Sequence, residues 1–488
     1  MLSWLTRWLK RAVVLAAAIF LTLLAARAFD TQRGPPLQLW HVYVPPELTQ
    51  TELDRTDWVG FLAAEQAAFD AVRRQVTDRL EPEAQVPANR YFAGSPIYPG
   101  SFRQDWNRSF LLEPDGPPKG VAVLLHGLTD APYSLRHVAR LYREQGYVAI
   151  GIRLPAHGTV PAALTKVEWE DWLAAARLAV REARRRVAEP APLHIVGYSN
   201  GVALALKYAL DAIEDGQLAR PDRLVLISPM IGVTAFARFA GLAGLPAIFP
   251  AFAKAAWLSV VPEFIPFKYN SFPINGARQS FQLTRELQGQ LNRLARERRL
   301  DGLAPILTFQ SVIDFTVSTR AIVTGLYRRL PANGSELVLF DLNRTIKFGP
   351  LLNVGVDTVI ERLLAPPPRT FRTTILANAG PDDPAVVERV VEAGAASEQV
   401  RALDLVYPPE VFSLSHVALP FPLDDALYGM RPTSNEFGIN LGAIATRGER
   451  GALIISLDSL LRMTSNPFFP YMLHRIDGYL ADRATGGG

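Results

Sequence analysis

The sequence predicts an α/β fold: a mostly parallel central sheet with helices on both faces and a helical cap insertion. Three observations predict it. From residue 108 onward, short apolar runs alternate with amphipathic stretches, the pattern of strands buried under helices on either side. The turn Gly197-Tyr198-Ser199-Asn200-Gly201 falls between one such run and one such helix. A stretch rich in Phe, Ala, Leu and Pro without strand rhythm, Pro229 to Asn275, follows a core strand, where caps are commonly inserted.

Composition narrows the class. At 488 residues the chain can bury a large core, and 49% hydrophobic against 20% charged residues are ordinary globular values, so neither disorder nor a polytopic membrane protein is expected. The net charge of +4 is spread along the chain, without the clustered basic face that nucleic-acid binding requires. The densest run, Arg181 to Arg186, reads as the solvated face of a helix. There is no cysteine, which excludes disulfides, thiolate metal sites and a Cys nucleophile together.

Residues 1–28 read as a signal peptide or an N-terminal membrane anchor. Arg7, Lys10 and Arg11 precede the apolar run Ala12 to Ala26, and Ala26-Arg27-Ala28 has the small-x-small form of a cleavage site. Trp4 and Trp8 as interfacial residues, and Arg27 beside the cleavage point, favour an uncleaved anchor. The catalytic body is then expected outside the cytoplasm, in the cell envelope, or secreted if the segment is removed. Residues 29–107 form a Pro-punctuated lead-in with one helical stretch, Thr56 to Leu80.

The core is expected in two halves, residues 108–230 and 301–488, around a cap at 231–300, with an insertion at about 342–400. Strands are expected at Ser109 to Leu112, Gly120 to Leu125, Tyr147 to Ile152, Leu193 to Val196 and Leu224 to Ile227. Further strands follow at Ala304 to Phe309, Glu336 to Phe340, Thr373 to Ala377 and Arg401 to Val406. Helices are expected at Leu135 to Gln145, Trp169 to Val187 and Gly201 to Glu214. Ligand sites in such sheets lie beyond the carboxyl ends of the strands.

The residues with chemical potential fall at those ends. Small residues flanking Ser199 allow the sharp strand-to-helix turn that lifts a serine hydroxyl clear of a sheet. His126-Gly127-Leu128 follows the strand VAVLL, so the backbone N–H groups of Leu128 and Asn200 are the natural pair of oxyanion donors. His126 itself precedes the serine and reads as a structural residue of its loop, because in this arrangement the base follows the acid. Only His416 and His474 lie downstream. His416, in an irregular stretch, is the better candidate base, and His474 sits on an amphipathic C-terminal helix. For the acid, Asp314 just past a strand leads, Asp341 is its competitor, and Asp404 lies within a strand.

This constellation resembles the α/β-hydrolase superfamily, and within it the branch of monoacylglycerol lipases, carboxylesterases and serine aminopeptidases. The resemblance rests on LLHGLTDAP (124–132), RLPAHGT (153–159), VEWEDWL (167–173), IVGYSNG (195–201), SVIDFTVS (311–318) and SHVALP (415–420). It implies an α/β-hydrolase fold, Ser199, Asp314 and His416 as a catalytic triad, Leu128 and Asn200 as oxyanion donors, and no cofactor. It covers residues 108 to 320 and resumes around His416. In that branch the acid and histidine lie a few tens of residues apart, so an insertion must separate Asp314 from His416, and the lead-in is left without a counterpart.

The expected function is hydrolysis of carboxylic esters through an acyl-enzyme. Phe236, Phe239, Phe249, Phe252, Trp257, Phe264 and Phe267 give the cap region an apolar character suited to an acyl chain, or else pack the cap onto the core. A lipid-like ester is the expected substrate and the membrane the expected partner. A peptidase or acyltransferase with the same triad and a catalytically silent, membrane-tethered binding protein are the rival readings.

Overall fold

The computed structural model describes residues 2–32, 35–232, 250–314, 316–348, 351, 358–445 and 454–481. Its centre is a ten-stranded sheet with the order β1-β3-β2-β4-β5-β8-β9-β10-β11-β12. The strands are β1 (Phe110–Leu112), β2 (Gly120–Leu125), β3 (Tyr147–Ile152), β4 (Leu193–Tyr198), β5 (Arg223–Ile227), β8 (Ile306–Ser311), β9 (Glu336–Phe340), β10 (Arg372–Gly380), β11 (Asp383–Val391) and β12 (Gln399–Val406). Strands β3 to β10 of that order run parallel, while β1, β11 and β12 pair antiparallel at the two edges. The central strands β2, β3 and β4 are buried along their whole length, which is why they read as uninterrupted apolar runs.

Helices cover both faces. Trp169–Arg186 begins on a reciprocal cap between Glu168 and Asp171 and ends on three arginines, placing acidic groups at the positive and basic groups at the negative end of its dipole. The helix Ile274–Arg296 buries Leu283, Leu287, Leu291 and Leu294 completely, and their three- and four-residue spacing lays one apolar stripe on the core. This helix belongs to the core layer, although it lies inside the span expected to be cap. Before it, β6 (Trp257–Ser259) and β7 (Phe272–Pro273) form a small separate sheet. Residues 233–249, with Phe236, Phe239 and Phe249, lie outside the described residues, as does the side chain of Phe252.

The lead-in is stapled to the core by buried charge. Its helix Trp58–Gln75 carries the buried Glu65, which accepts hydrogen bonds from Ser109 N, Ser109 Oγ and Arg153 Nε. Arg153, directly after β3, also forms a two-pronged pair with Glu47 at 2.8 and 2.9 Å. Planar pairing of this kind satisfies both charges away from water. The buried Arg90 donates to Asn107 Oδ1 and to the carbonyls of Ile265, Lys268 and Gly158.

The expected insertion does not form a separate body. It carries the chain out through β10, β11 and β12 at the far edge of the sheet, and the return segment is tied to the end of β9. Tyr407 Oη donates to Asp341 O at 2.7 Å, and Asn343 Nδ2 donates to the carbonyls of Pro408 and Val411. The C-terminal segment is locked by Asp425, which accepts from Arg136, His137 and Tyr133 side chains and from two backbone N–H groups.

The N-terminal residues Leu2–Gln32 form one helix. The expected spanning anchor is not supported: among the described residues no helix is long and apolar enough to cross a membrane. As helix, the apolar run from Ala12 to Ala26 extends only about 22 Å, short of the ~30 Å hydrocarbon layer.

Burial holds several imidazoles neutral. It lowers His41, His137 and His157 from the usual 6.5 to about 4, and holds His126 well below its ordinary value. Unfolded, these rings take up protons near pH 6.5, and folded, only near pH 4, so the unfolded state binds more protons in between and stability declines as pH falls through that window. Melting temperatures taken from about pH 7 down to about pH 4.5 should therefore fall steadily, and a flat profile would contradict the assignment.

Candidate active site

Sheet register assembles the site. Leu125 of β2 pairs with Gly197 of β4, Tyr198 with Ile227 of β5, Ile227 with Phe309 of β8, and Ser311 with Phe340 of β9. The residues just beyond these strands, His126, Ser199, Asp314 and Asp341, therefore emerge from one edge of the sheet.

Ser199 is buried and sits at φ 54°, ψ −116°, a region that non-glycine residues occupy only when the surroundings impose it. Ser199 N donates to Ile227 O at 3.0 Å and Ser199 O accepts from Met230 N at 3.2 Å. The flanking glycines make the turn sterically possible. A Cβ at Gly197 would stand 2.6 Å from Val202 Cα, and one at Gly201 would overlap the Leu125 carbonyl oxygen.

Opposite Ser199 runs the loop after β2. A Cβ at Gly127 would lie 3.1 Å from Ser199 Cβ, so the two turns touch. His126 fixes this loop: Leu154 N donates to its Nε2 at 3.0 Å, leaving Nδ1–H to donate to Gly127 O at 2.9 Å. Buried, uncharged and with both nitrogens engaged, His126 is structural, as expected. Thr129 takes a left-handed conformation, and its carbonyl is pinned by Tyr269 N at 2.7 Å. Asn200 opens the helix Asn200–Glu214, where first-turn N–H groups have no partner within the helix. Its side-chain Oδ1 accepts from Ser280 Oγ at 2.8 Å. Beside the loop, burial pushes the Asp130 carboxyl up to about 6 and lowers the nearby Lys268 ammonium.

His416 and Asp314, 102 residues apart, meet at 2.9 Å between Nδ1 and Oδ2. Asp314 Oδ1 accepts from Thr316 N and Val317 N, and Gln310 Nε2 donates to Oδ2. Burial raises this carboxyl, but the His416 hydrogen bond and charge together with the backbone donors outweigh it and hold the group below the usual range. As an ionised acceptor it keeps the proton on Nδ1, so Nε2 is the free basic nitrogen. His416 is placed against the serine turn by Tyr198, whose ring lies 5.6 Å from the imidazole and whose hydroxyl donates to His416 O at 3.3 Å.

The competing candidates do other work. Asp341 is paired with Arg344 at 3.1 Å, Asp404 is exposed on the edge strand, and His474 is exposed on the C-terminal helix. Trp257 is buried edge-on against His41, with ring centroids 5.0 Å apart. Phe267 stacks on Tyr133 at 4.4 Å and meets Phe437 edge-on at 4.9 Å. These two rings pack the cap region onto the lead-in and C-terminal segment instead of lining an open cavity. Tyr198 and Gln310 contact the histidine and acid directly, while Arg462 donates to Thr316 Oγ1 beside the acid and its carbonyl accepts from Ser415 Oγ beside the histidine. Nothing in their sequence context marks them, apart from the place of Tyr198 within the turn.

A mostly parallel sheet with a strained serine at the β4-to-helix turn and a His–Asp pair at the same edge defines an α/β hydrolase. Residues 116–342, a little under half of the chain, match the Hydrolase_4 family, serine aminopeptidase S33. It is similar to a thermostable monoacylglycerol lipase from Bacillus sp. (strain H-257), with 32% identity over 92 residues, 19% of this chain. The matched stretch spans 35% of that relative's length, about a third. Among solved structures it is similar to one described with LipS and LipT, two metagenome-derived lipolytic enzymes, at 20% identity and TM-score 0.37, covering 46% of this chain and 83% of that one. A soluble variant of monoglyceride lipase from Saccharomyces cerevisiae gives 14% identity and TM-score 0.34, covering 46% and 78%.

The tight turn is directly testable. Gly201→Ala, which would drive a methyl group into a backbone carbonyl, should abolish soluble expression or lower the melting temperature sharply. Gly216→Ala, with open space around it, should stay within about 0.5 kcal/mol of wild type.

Proposed function

We propose that this chain is a serine hydrolase that cleaves lipid-like carboxylic esters, monoacylglycerols or similar molecules, through Ser199, His416 and Asp314. The observation that carries the reading is the 2.9 Å His416–Asp314 contact held by Tyr198 beside the strained Ser199. His416 Nε2 removes the hydroxyl proton as Ser199 Oγ attacks the acyl carbonyl, and Asp314 fixes the tautomer and stabilises the imidazolium. The N–H groups of Leu128 and Asn200 receive the developing oxyanion. His416 then returns the proton to the departing alcohol, and water resolves the acyl-enzyme.

The choice of ester draws on the similarity to a monoacylglycerol lipase and on the aromatic composition of the cap, where Phe236, Phe239 and Phe252 belong to the substrate-facing part of the proposal. A second reading, an aminopeptidase with the same triad, is favoured by the description of the matching family. The place of action belongs to the proposal as well. Three cations ahead of an apolar run and a small-x-small site support export to the cell envelope or beyond, which the mass of the mature N-terminus would test.

Fluorophosphonate should label the wild type and fail to label Ser199→Ala, and equal labelling would remove Ser199 as nucleophile. Asp314→Asn should lower ester turnover about 10⁴-fold by stabilising the wrong tautomer, while Asp341→Asn should retain most of the rate. Nitrophenyl esters of medium or longer acyl chains should be preferred. A preference for acetate, or activity confined to aminoacyl amides, would overturn the lipid-like assignment.

A further inference from the structure

A cavity of about 490 Å³ opens at the edge of the sheet opposite Ser199. It is lined by Arg223, Glu336 and Arg372, the first residues of β5, β9 and β10, and by Arg475 and Tyr479 of the last helix, Phe469–Ala481. We infer that this cavity binds a phosphate group, carried either by a soluble phosphate ester or by a phospholipid. The site stands apart from the hydrolytic machinery. Strand β5 carries Arg223 at one end and holds the serine turn through Ile227 O at the other, and its five residues span about 16 Å.

The lining sets three guanidiniums against one carboxylate. Glu336 Oε1 accepts from Thr374 Oγ1 at 2.7 Å and stands 3.5 Å from Arg372 Nε, while Oε2 accepts from Arg475 Nη2. Arg372 also meets Glu392 at 3.3 Å, a half-exposed carboxylate outside the lining whose pairing water and salt screen. Arg223 pairs with no carboxylate among the described residues, and its guanidinium lies over the Tyr479 ring at 4.3 Å. The side chains of Arg372 and Arg475 are 29% and 23% exposed against 7% for Glu336, so the cations reach the opening and the carboxylate sits behind them. Arg475 Nε is buried without a hydrogen-bond partner, which leaves a desolvated donor uncompensated. Fastening the last helix to the sheet requires the Arg475–Glu336 pair alone. Arg223 adds a like charge to that pair, offset within the chain by a ring face.

A ligand that completes this arrangement must bring more than one negative charge and several acceptor oxygens. A phosphate monoester does both near neutral pH, and planar guanidinium forks match its oxygens in pairs. A single carboxylate balances only part of the excess and a neutral ligand none of it. The volume lies within the range of small-molecule sites.

Two variants test the site without touching the pairs that hold the last helix. Arg223→Gln removes the cation that takes part in no ion pair. Gly478→Asp adds a negative charge at a lining position where a new Cβ meets nothing within 4 Å, and so serves even where Arg223→Gln fails to fold. Full-length protein in neutral detergent, its folding checked by circular dichroism, is titrated calorimetrically with inorganic phosphate at constant ionic strength. The wild type should bind saturably, and each variant should bind on the order of tenfold more weakly, as expected for a lost charge-assisted hydrogen bond. Arg223→Lys, which keeps the charge but not the fork, should lose less. In a second arm, phosphatidylcholine vesicles containing phosphatidic acid are sedimented with each protein, all of which share the same N-terminal segment. Less sedimentation of the variants than of the wild type assigns the phosphate to a lipid, and equal sedimentation with weakened binding of free phosphate assigns it to a soluble ester. Wild-type protein that binds neither probe, or variants that bind both as the wild type does, overturn the inference.

Discussion

The structure depends on how closely β2 and β4 are allowed to approach at their carboxyl ends. Gly201 lies under the Leu125 carbonyl and Gly127 lies against Ser199, so the serine turn and the loop after β2 are in van der Waals contact. Any side chain at those glycines would push the two turns apart. The cost is a serine in a sparsely populated conformation, which the dense packing of the helix Asn200–Glu214 and the hydrogen bond to Ile227 sustain.

The other half of the site reaches that turn from a long distance. Between Asp314 and His416 the chain extends the sheet by four strands, β9 to β12, and returns along Asn343 and Tyr407. Adding strands to a sheet edge preserves the parallel core because β10 continues the register of β9, and the antiparallel hairpin beyond it brings the chain back without a further crossover helix. The insertion therefore lengthens the loop without moving its ends.

Much of this was legible in the sequence for physical reasons. Strands buried on both faces are continuous apolar runs, so β2, β3, β4, β5 and β9 stand out within a residue or two. The serine turn is marked by glycines that sterics demand, and chain order separated His416 from His126. Strand β11 is not legible in the sequence although Val386, Glu388 and Val390 alternate with Arg389 and Val387, because a charged residue in the buried phase breaks the apolar rhythm; Glu388 is buried against Tyr471 and Arg401. The helix Ile274–Arg296 does not stand out from the cap span in sequence because its mean composition is polar. The roles of Trp257 and Phe267 were illegible, since an aromatic ring that packs and one that lines a cavity look alike until their neighbours are known. The short apolar run near the N-terminus carries a targeting pattern whose length alone argues against a full crossing.

The fastening of the C-terminal segment has a consequence for how the molecule comes into being. A ribosome completes the serine turn early, but the histidine is emitted only after the sheet edge has been laid down, and the residues that brace it come later still: Arg462 behind Ser415, Asp425 on Arg136. A nascent or truncated chain therefore holds the Ser199 turn without the His416–Asp314 pair.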